Sequence, residues 1–293
     1  MALQKYEQSL DMKKQSLPSN HVSIADTMNN IGLVYHHMGD YENALKNYTS
    51  SLDIYKQIHP DDHADIAETL MNIGEANRQL GKYENSIESY NESLIISKPH
   101  DHSSNADLLL NIATVNLHQG NYCEALSNYN KCLDIYVQLF DGDQHPLIAF
   151  ICASIGLVYN RLGQFQSAIH EYNRCLKIYE QSLPANHSDI ADILANIGQA
   201  YESLGDYDSA LTHYSKSMNI SREILSNSHP NLSRLTQDVD RVGNYITNTN
   251  AKNNNPISES TVNKNSKNHA KKKSDALTAG SVREPSSKFC ILI

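Results

Sequence analysis

The sequence has no tryptophan and only four phenylalanines among its 293 residues, against 17 tyrosines. No apolar run approaches the roughly 18 residues of a membrane-spanning helix. The five cysteines, at positions 123, 132, 152, 175 and 290, form no CxxC pair. That scatter argues against a disulfide framework and against a zinc site, and favours reduced thiols. The opening MALQKYEQSLDMKKQS lacks the apolar core of a secretory leader, so the expected location is cytoplasmic. There is no nucleophile elbow, no GxxxxGK[ST] phosphate loop and no HExxH pair. The expectation is a protein without catalysis, cofactor or resident metal. Positive charge is also scarce where it would matter for nucleic acid. Residues 1–251 carry 16 Lys and Arg against 30 Asp and Glu, whereas residues 252–293 carry 8 against 3. An acidic body excludes phosphate-backbone binding as its main role.

What the sequence does have is a long period. The stretch LPSNHVSIADTMNNIGLVY at 17–35 returns as LPANHSDIADILANIGQAY at 183–201. The isoleucines Ile31, Ile73, Ile112, Ile155 and Ile197 follow one another at steps of 42, 39, 43 and 42 residues. Gly39, Gly81, Gly120, Gly163 and Gly205 stand eight residues after them. Each glycine is followed by an aromatic (Tyr41, Tyr83, Tyr122, Phe165, Tyr207), then a small residue (Ala44, Ser86, Ala125, Ala168, Ala210). Last comes a tyrosine (Tyr48, Tyr90, Tyr129, Tyr172, Tyr214). A fixed period of this length is the signature of a repeat architecture.

The columns describe a helical hairpin. Leu70, Ile73, Gly74 and Leu80 share one helical face, and the glycine after the isoleucine permits close approach of a second helix. The glycine eight residues on is a C-cap, where a left-handed conformation costs glycine little. Ala44, Tyr48 and Leu52 form the apolar face of the second helix. Small residues at Ser51, Ser93, Cys132, Cys175 and Ser217 are expected to make room for the next helix. Such a hairpin buries its face only against its neighbours.

The pattern L-G-x2-Y…G-x-Y…A-x3-Y resembles the tetratricopeptide repeat, in the long form of about 42 residues used by kinesin light chains and their relatives. The likeness runs over about residues 2–235. Met28, Leu70, Leu109, Cys152 and Leu194 replace the usual tryptophan, and Asn77 and Asn116 replace the tyrosine seen at Tyr35, Tyr159 and Tyr201. It implies an all-α, right-handed superhelical solenoid of helix-turn-helix repeats. The expected organisation is a half-repeat over 1–16, holding only a second helix, then repeats over 17–58, 59–100, 101–140, 141–182 and 183–225. A capping helix over 226–246 and a disordered basic tail over 247–293 follow, the tail being too poor in apolar residues to repay its ordering. The short third spacing, with Pro99 in its connection, is expected to be the most flexible junction.

The resemblance also implies a function: a scaffold or adaptor that holds an extended segment of a protein partner against the first helices. In that family, asparagines before the isoleucine clamp the peptide backbone. Here they are Asn30, Asn72, Asn111 and Asn196, with Ser154 in the fourth repeat. An amide offers donor and acceptor together and so pairs with any peptide bond. The competing expectation is a ladder of asparagines bonding only neighbouring helices. Arg78, Arg161, His37 and His118, with His36, are the expected groove cations. Asp26, Glu68, Glu75, Asp107, Asp192 and Glu202 oppose them, so a mixed or basic peptide is expected. A kinesin light chain-type cargo adaptor and the regulatory part of a larger enzyme are the rival readings. His21, His63, His145, His187 and His229 precede the first helix of their repeats and read as helix-entry residues, on separate hairpins, with no metal role. The terminal Cys290-Ile291-Leu292-Ile293 fits a C-a-a-X prenylation signal. Lys271, Lys272 and Lys273 would supply attraction to a membrane surface.

Overall fold

The computed structural model describes residues 2–60, 63–97, 102–226 and 229–253. Among them there are twelve helices and no strand. Two compact units divide between Gly142 and Asp143. The first holds α1 (Ala2–Ser16), α2 (Val22–His37), α3 (Tyr41–Ile58), α4 (Ala64–Gln79), α5 (Tyr83–Ile96), α6 (His102–Gln119) and α7 (Tyr122–Leu139). The second holds α8 (Pro146–Arg161), α9 (Phe165–Ser182), α10 (Ser188–Leu204), α11 (Tyr207–Ile224) and α12 (Pro230–Asn253). No helix among the described residues is long and apolar enough to cross a membrane. The connection at 98–101 and the tail with Lys271, Lys272, Lys273 and Cys290 lie outside the described residues.

In the first unit α2 pairs with α3, α4 with α5 and α6 with α7, while α3 packs on α4 and α5 on α6. The first helices touch in turn, α2 against α4 and α4 against α6. They form one layer and the second helices the other. Helix α1 lies on α2, with Leu10 buried beside Ile24 and Ile31. In the second unit α8 pairs with α9 and α10 with α11, α9 packs on α10, and α12 closes on α11.

The repeated columns acquire specific tasks. Each hairpin turns on a glycine in the left-handed region, from φ +70° at Gly81 to +81° at Gly205. Tyr48, Tyr90, Tyr129 and Tyr172 are the largest fully buried side chains. Tyr48, Tyr90 and Tyr172 sit on the glycines that follow the isoleucines: a β-carbon on Gly74 would stand 2.6 Å from Tyr90 Cε1. The close approach expected of this column is thus that of a tyrosine ring from the same hairpin.

The small-residue column does more than make room. Ser51 Oγ donates to the carbonyl of Ala25 (2.8 Å), Ser93 to Ala67 (2.7 Å) and Ser217 to Ala191 (2.6 Å). Each bond ties the second helix back to the first helix of its own repeat, 26 residues earlier. Cys132 and Cys175 occupy this column and are fully buried. Burial pushes both thiols far up, and Cys152 up to about 12. These three cysteines are packing residues without thiolate character.

One other expectation changes. Helix α12 runs to Asn253, beyond the expected end near Ile246. Ile246 packs on the core of Tyr214 and Leu235, and the Tyr245 ring lies 4.0 Å from that of Tyr207. The replacement of tyrosine by asparagine gives buried amides: Asn116 donates to the Ile112 carbonyl (3.0 Å), but Asn77 Oδ1 has no partner.

Candidate functional site

In the first unit Asn30, Asn72 and Asn111 occupy one register on α2, α4 and α6, the three helices that touch in sequence. Each precedes a buried isoleucine: Ile31, Ile73 and Ile112 are 2, 8 and 5 % exposed. The next residue round a helix lies about 100° away, so each asparagine sits at the edge of the core, half-buried. Among the described residues, no hydrogen bond engages any of these three side chains. The Asn72 Nδ2 is shielded and has no partner. Asn196, in the second unit, differs, being only 3 % exposed. The fourth asparagine of the expected series is therefore enclosed in its own unit.

The expected cations are unequal. Arg78 is bound to Glu75, Nε to Oε2 at 2.8 Å and an Nη to Oε1 at 2.5 Å. The Tyr90 hydroxyl donates to the same carboxylate at 3.0 Å and Gln79 Nε2 at 2.8 Å. Burial pushes the Glu75 carboxyl up, but these donors and the Arg78 charge outweigh it and hold the group below its ordinary value. Arg78 is thus a structural counter-ion. Arg161 is exposed at the end of α8, where a cation complements the helix dipole. His37 and His118 are exposed at the ends of α2 and α6, and the His118 ring lies parallel to Tyr83 at 6.1 Å. Burial holds His36 below its ordinary value despite the opposing pull of Glu75.

The opposing carboxylates are mostly engaged as well. Asp26 accepts from the Tyr55 hydroxyl (2.7 Å), and buried Asp107 accepts from Tyr136. Glu202 receives two bonds from Arg241 (2.9 and 2.8 Å) and one from Tyr214 (2.9 Å). Glu68 is exposed; its carboxyl is pushed up by desolvation and then by Asp65.

The recurrent histidines have a defined local task. Nδ1 of His21, His63, His145, His187 and His229 accepts the backbone N–H two residues on, over 3.1–3.2 Å. This is the bond that an Asn or Ser side chain makes at an N-cap. One of the five has a further setting that the spacing of repeats did not show. Among the described residues, His59, His63 and Asp65 form a group whose donor atoms are close enough to hold a metal ion. Its other imidazole comes from the end of the preceding helix.

The fold defines a helical-repeat protein, and the comparisons agree. The sequence profile of the family described as Tetratricopeptide repeat matches residues 23–98, 104–181 and 189–239. The chain belongs to the tetratricopeptide repeat family. Among solved structures, BtubC (BKLC) from P. vanneervenii is similar with a TM-score of 0.63 and 17 % identity, over 78 % of this chain and 92 % of that one. A putative kinesin light chain with nearly identical TPR-like repeats, from Podosopora anserina, has a TM-score of 0.61 at 16 % identity, over 70 % and 99 %. The apo form of RapI reaches 0.67 at 17 %, over 83 % and 68 %. At such identities the likeness is one of fold. Among curated protein sequences none matches this chain.

Proposed function

We propose that the chain is a non-enzymatic scaffold that holds an extended peptide of a protein partner along α2, α4 and α6, with Asn30, Asn72 and Asn111 pairing to its backbone. The observation that carries this reading is the absence of any hydrogen bond from these three amides, in one register on adjacent helices. The shielded, unpartnered Asn72 Nδ2 is costly unless something pairs with it. Asn196 is enclosed and takes no part. Arg78 is neutralised by Glu75, which leaves the face with little free positive charge. A neutral or basic peptide fits it better than an acidic one. We further propose a cytoplasmic location and a lipid on Cys290, with Lys271, Lys272 and Lys273 as the second, electrostatic attachment that a single lipid chain requires.

The test is selection of an extended-peptide library against the full chain. Neutral to basic peptides should be enriched. Asn72→Ala combined with Asn111→Ala should abolish their binding and leave thermal unfolding nearly unchanged. Lost binding together with a large fall in unfolding temperature would show that the amides serve the fold.

A further inference from the structure

We propose that His59, His63 and Asp65 form a zinc-class metal site that clamps the end of α3 to the start of α4. Asp65 Oδ2 is the common point, 3.4 Å from His59 Nε2 and 3.4 Å from His63 Nδ1. A tetrahedron with metal–ligand bonds of about 2.1 Å has edges of about 3.4 Å; two of the three separations match that edge, and the third lies within 4.8 Å. Two imidazoles and one carboxylate suit a borderline divalent ion, with water in the fourth position.

The two rings lie parallel, 3.6 Å apart at 8°, with Tyr55 stacked beyond His59 at 5.9 Å. Their lone pairs converge when one ring rotates about χ2, a broad and soft torsion for histidine. His63 then exchanges its cap bond from the Asp65 N–H, 3.2 Å long, for the metal. The electrostatics divide. The C-terminal end of α3 at His59 favours a cation, the N-terminal end of α4 opposes it, and the Asp65 carboxylate compensates.

The repeats supply the control. Position 59 corresponds to Leu17, Leu183 and Leu225 in other repeats. His187 and Asp189 reproduce the His63–Asp65 pair at 3.8 Å, but with Leu183 in place of the second imidazole. Where three other repeats have leucine, position 59 has a histidine whose Nε2 is shielded from solvent and makes no aligned hydrogen bond. The Asp65 carboxylate 3.4 Å away is its polar neighbour, and a bound ion would give both groups a well-aligned partner.

The experiment titrates the full chain, stripped with a chelator, with Co²⁺ alone. We expect one equivalent to produce the visible bands of tetrahedral cobalt without a thiolate charge-transfer band. Zn²⁺ should bleach the bands and raise the unfolding temperature, since it binds the folded state only. His59→Leu introduces the residue of three other repeats and should lose the bands while keeping the helical circular dichroism. His187→Asn, which alters the equivalent cap, should retain them. No tetrahedral band in the unaltered chain, or a band that survives in His59→Leu, overturns the proposal. Should His59→Leu lose helicity, Asp65→Asn decides by the same two readings.

Discussion

Gly74→Ala sets two effects of opposite sign against each other. Alanine inside a helix is worth about 1 kcal/mol over glycine. Its β-carbon, however, would stand 2.6 Å from Tyr90 Cε1, 2.7 Å from Cδ1 and 3.0 Å from Cζ. Carbon contacts are comfortable at about 3.5–4.0 Å, so the ring must retreat by about 1 Å. Tyr90 is fully buried, and its hydroxyl is committed to the carboxylate that holds Arg78. Overpacking costs about 1–3 kcal/mol, and losing a hydrogen bond to a charged group about 1.5–3 kcal/mol. The net expectation is a loss of about 3 kcal/mol. Gly156→Ala makes the matching 2.6 Å clash with Tyr172, whose hydroxyl has no partner to lose. Its net cost should be about 1 kcal/mol. Ala113 stands at this position opposite Tyr129 in the third repeat, so a whole hairpin can adapt to a methyl group; a single substitution cannot draw on those changes. An array need not unfold in one step, so the assay is native-state hydrogen exchange read on α5 and α9, with urea unfolding beside it. A Gly74→Ala chain as stable as the parent, or a Gly156→Ala chain equally damaged, would refute the reasoning.

Three other expectations follow from named contacts. Burial holds His145 below its ordinary value of 6.5, and its Nδ1 must stay unprotonated to accept the Leu147 N–H. The unfolded chain therefore takes up the proton first as pH falls below 6.5, and stability present above that pH is lost towards the lower folded value. His145→Asn, which keeps a capping oxygen, should flatten the pH dependence of unfolding of the second unit; an unchanged slope counts against the cap. Ser217→Ala removes a buried 2.6 Å bond to the Ala191 carbonyl and should cost about 1 kcal/mol in urea unfolding, while a neutral result would mean that only its size matters. Mass spectrometry of the chain made in a eukaryotic cell should show a prenyl group on Cys290 and loss of Ile291–Ile293; an intact Ile293 end with a free thiol excludes the lipid.

The helices were legible because duplication writes each structural need five times. The turn glycines, the buried tyrosines and the apolar faces could all be read from columns. Partners were not legible. Ser51 shows its size in the sequence but not the Ala25 carbonyl, which lies on another helix. Asp26, Glu75 and Glu202 show their sign, and each seemed to add negative charge to a groove. Tyr55, Arg78 and Arg241 engage them, the last from 39 residues away. Likewise the four asparagines of the column look alike in sequence, yet Asn196 is enclosed while Asn30, Asn72 and Asn111 are half-buried. Burial depends on which helix packs next, and that is a property of the stack.

In a duplicated array each repeat is a control for the others. A column kept apolar or small across repeats answers a packing need. The asparagine column is polar where a packing column would be apolar, and it recurs on adjacent helices, so a ligand that runs along the repeats accounts for it. His59 departs from a column that is leucine in three other repeats, and so points to an interaction confined to one junction. A polar column shared by the repeats and an imidazole found at one junction therefore call for different partners. One is a chain molecule that repeats its backbone along the array, the other a single ion held where α3 ends and α4 begins.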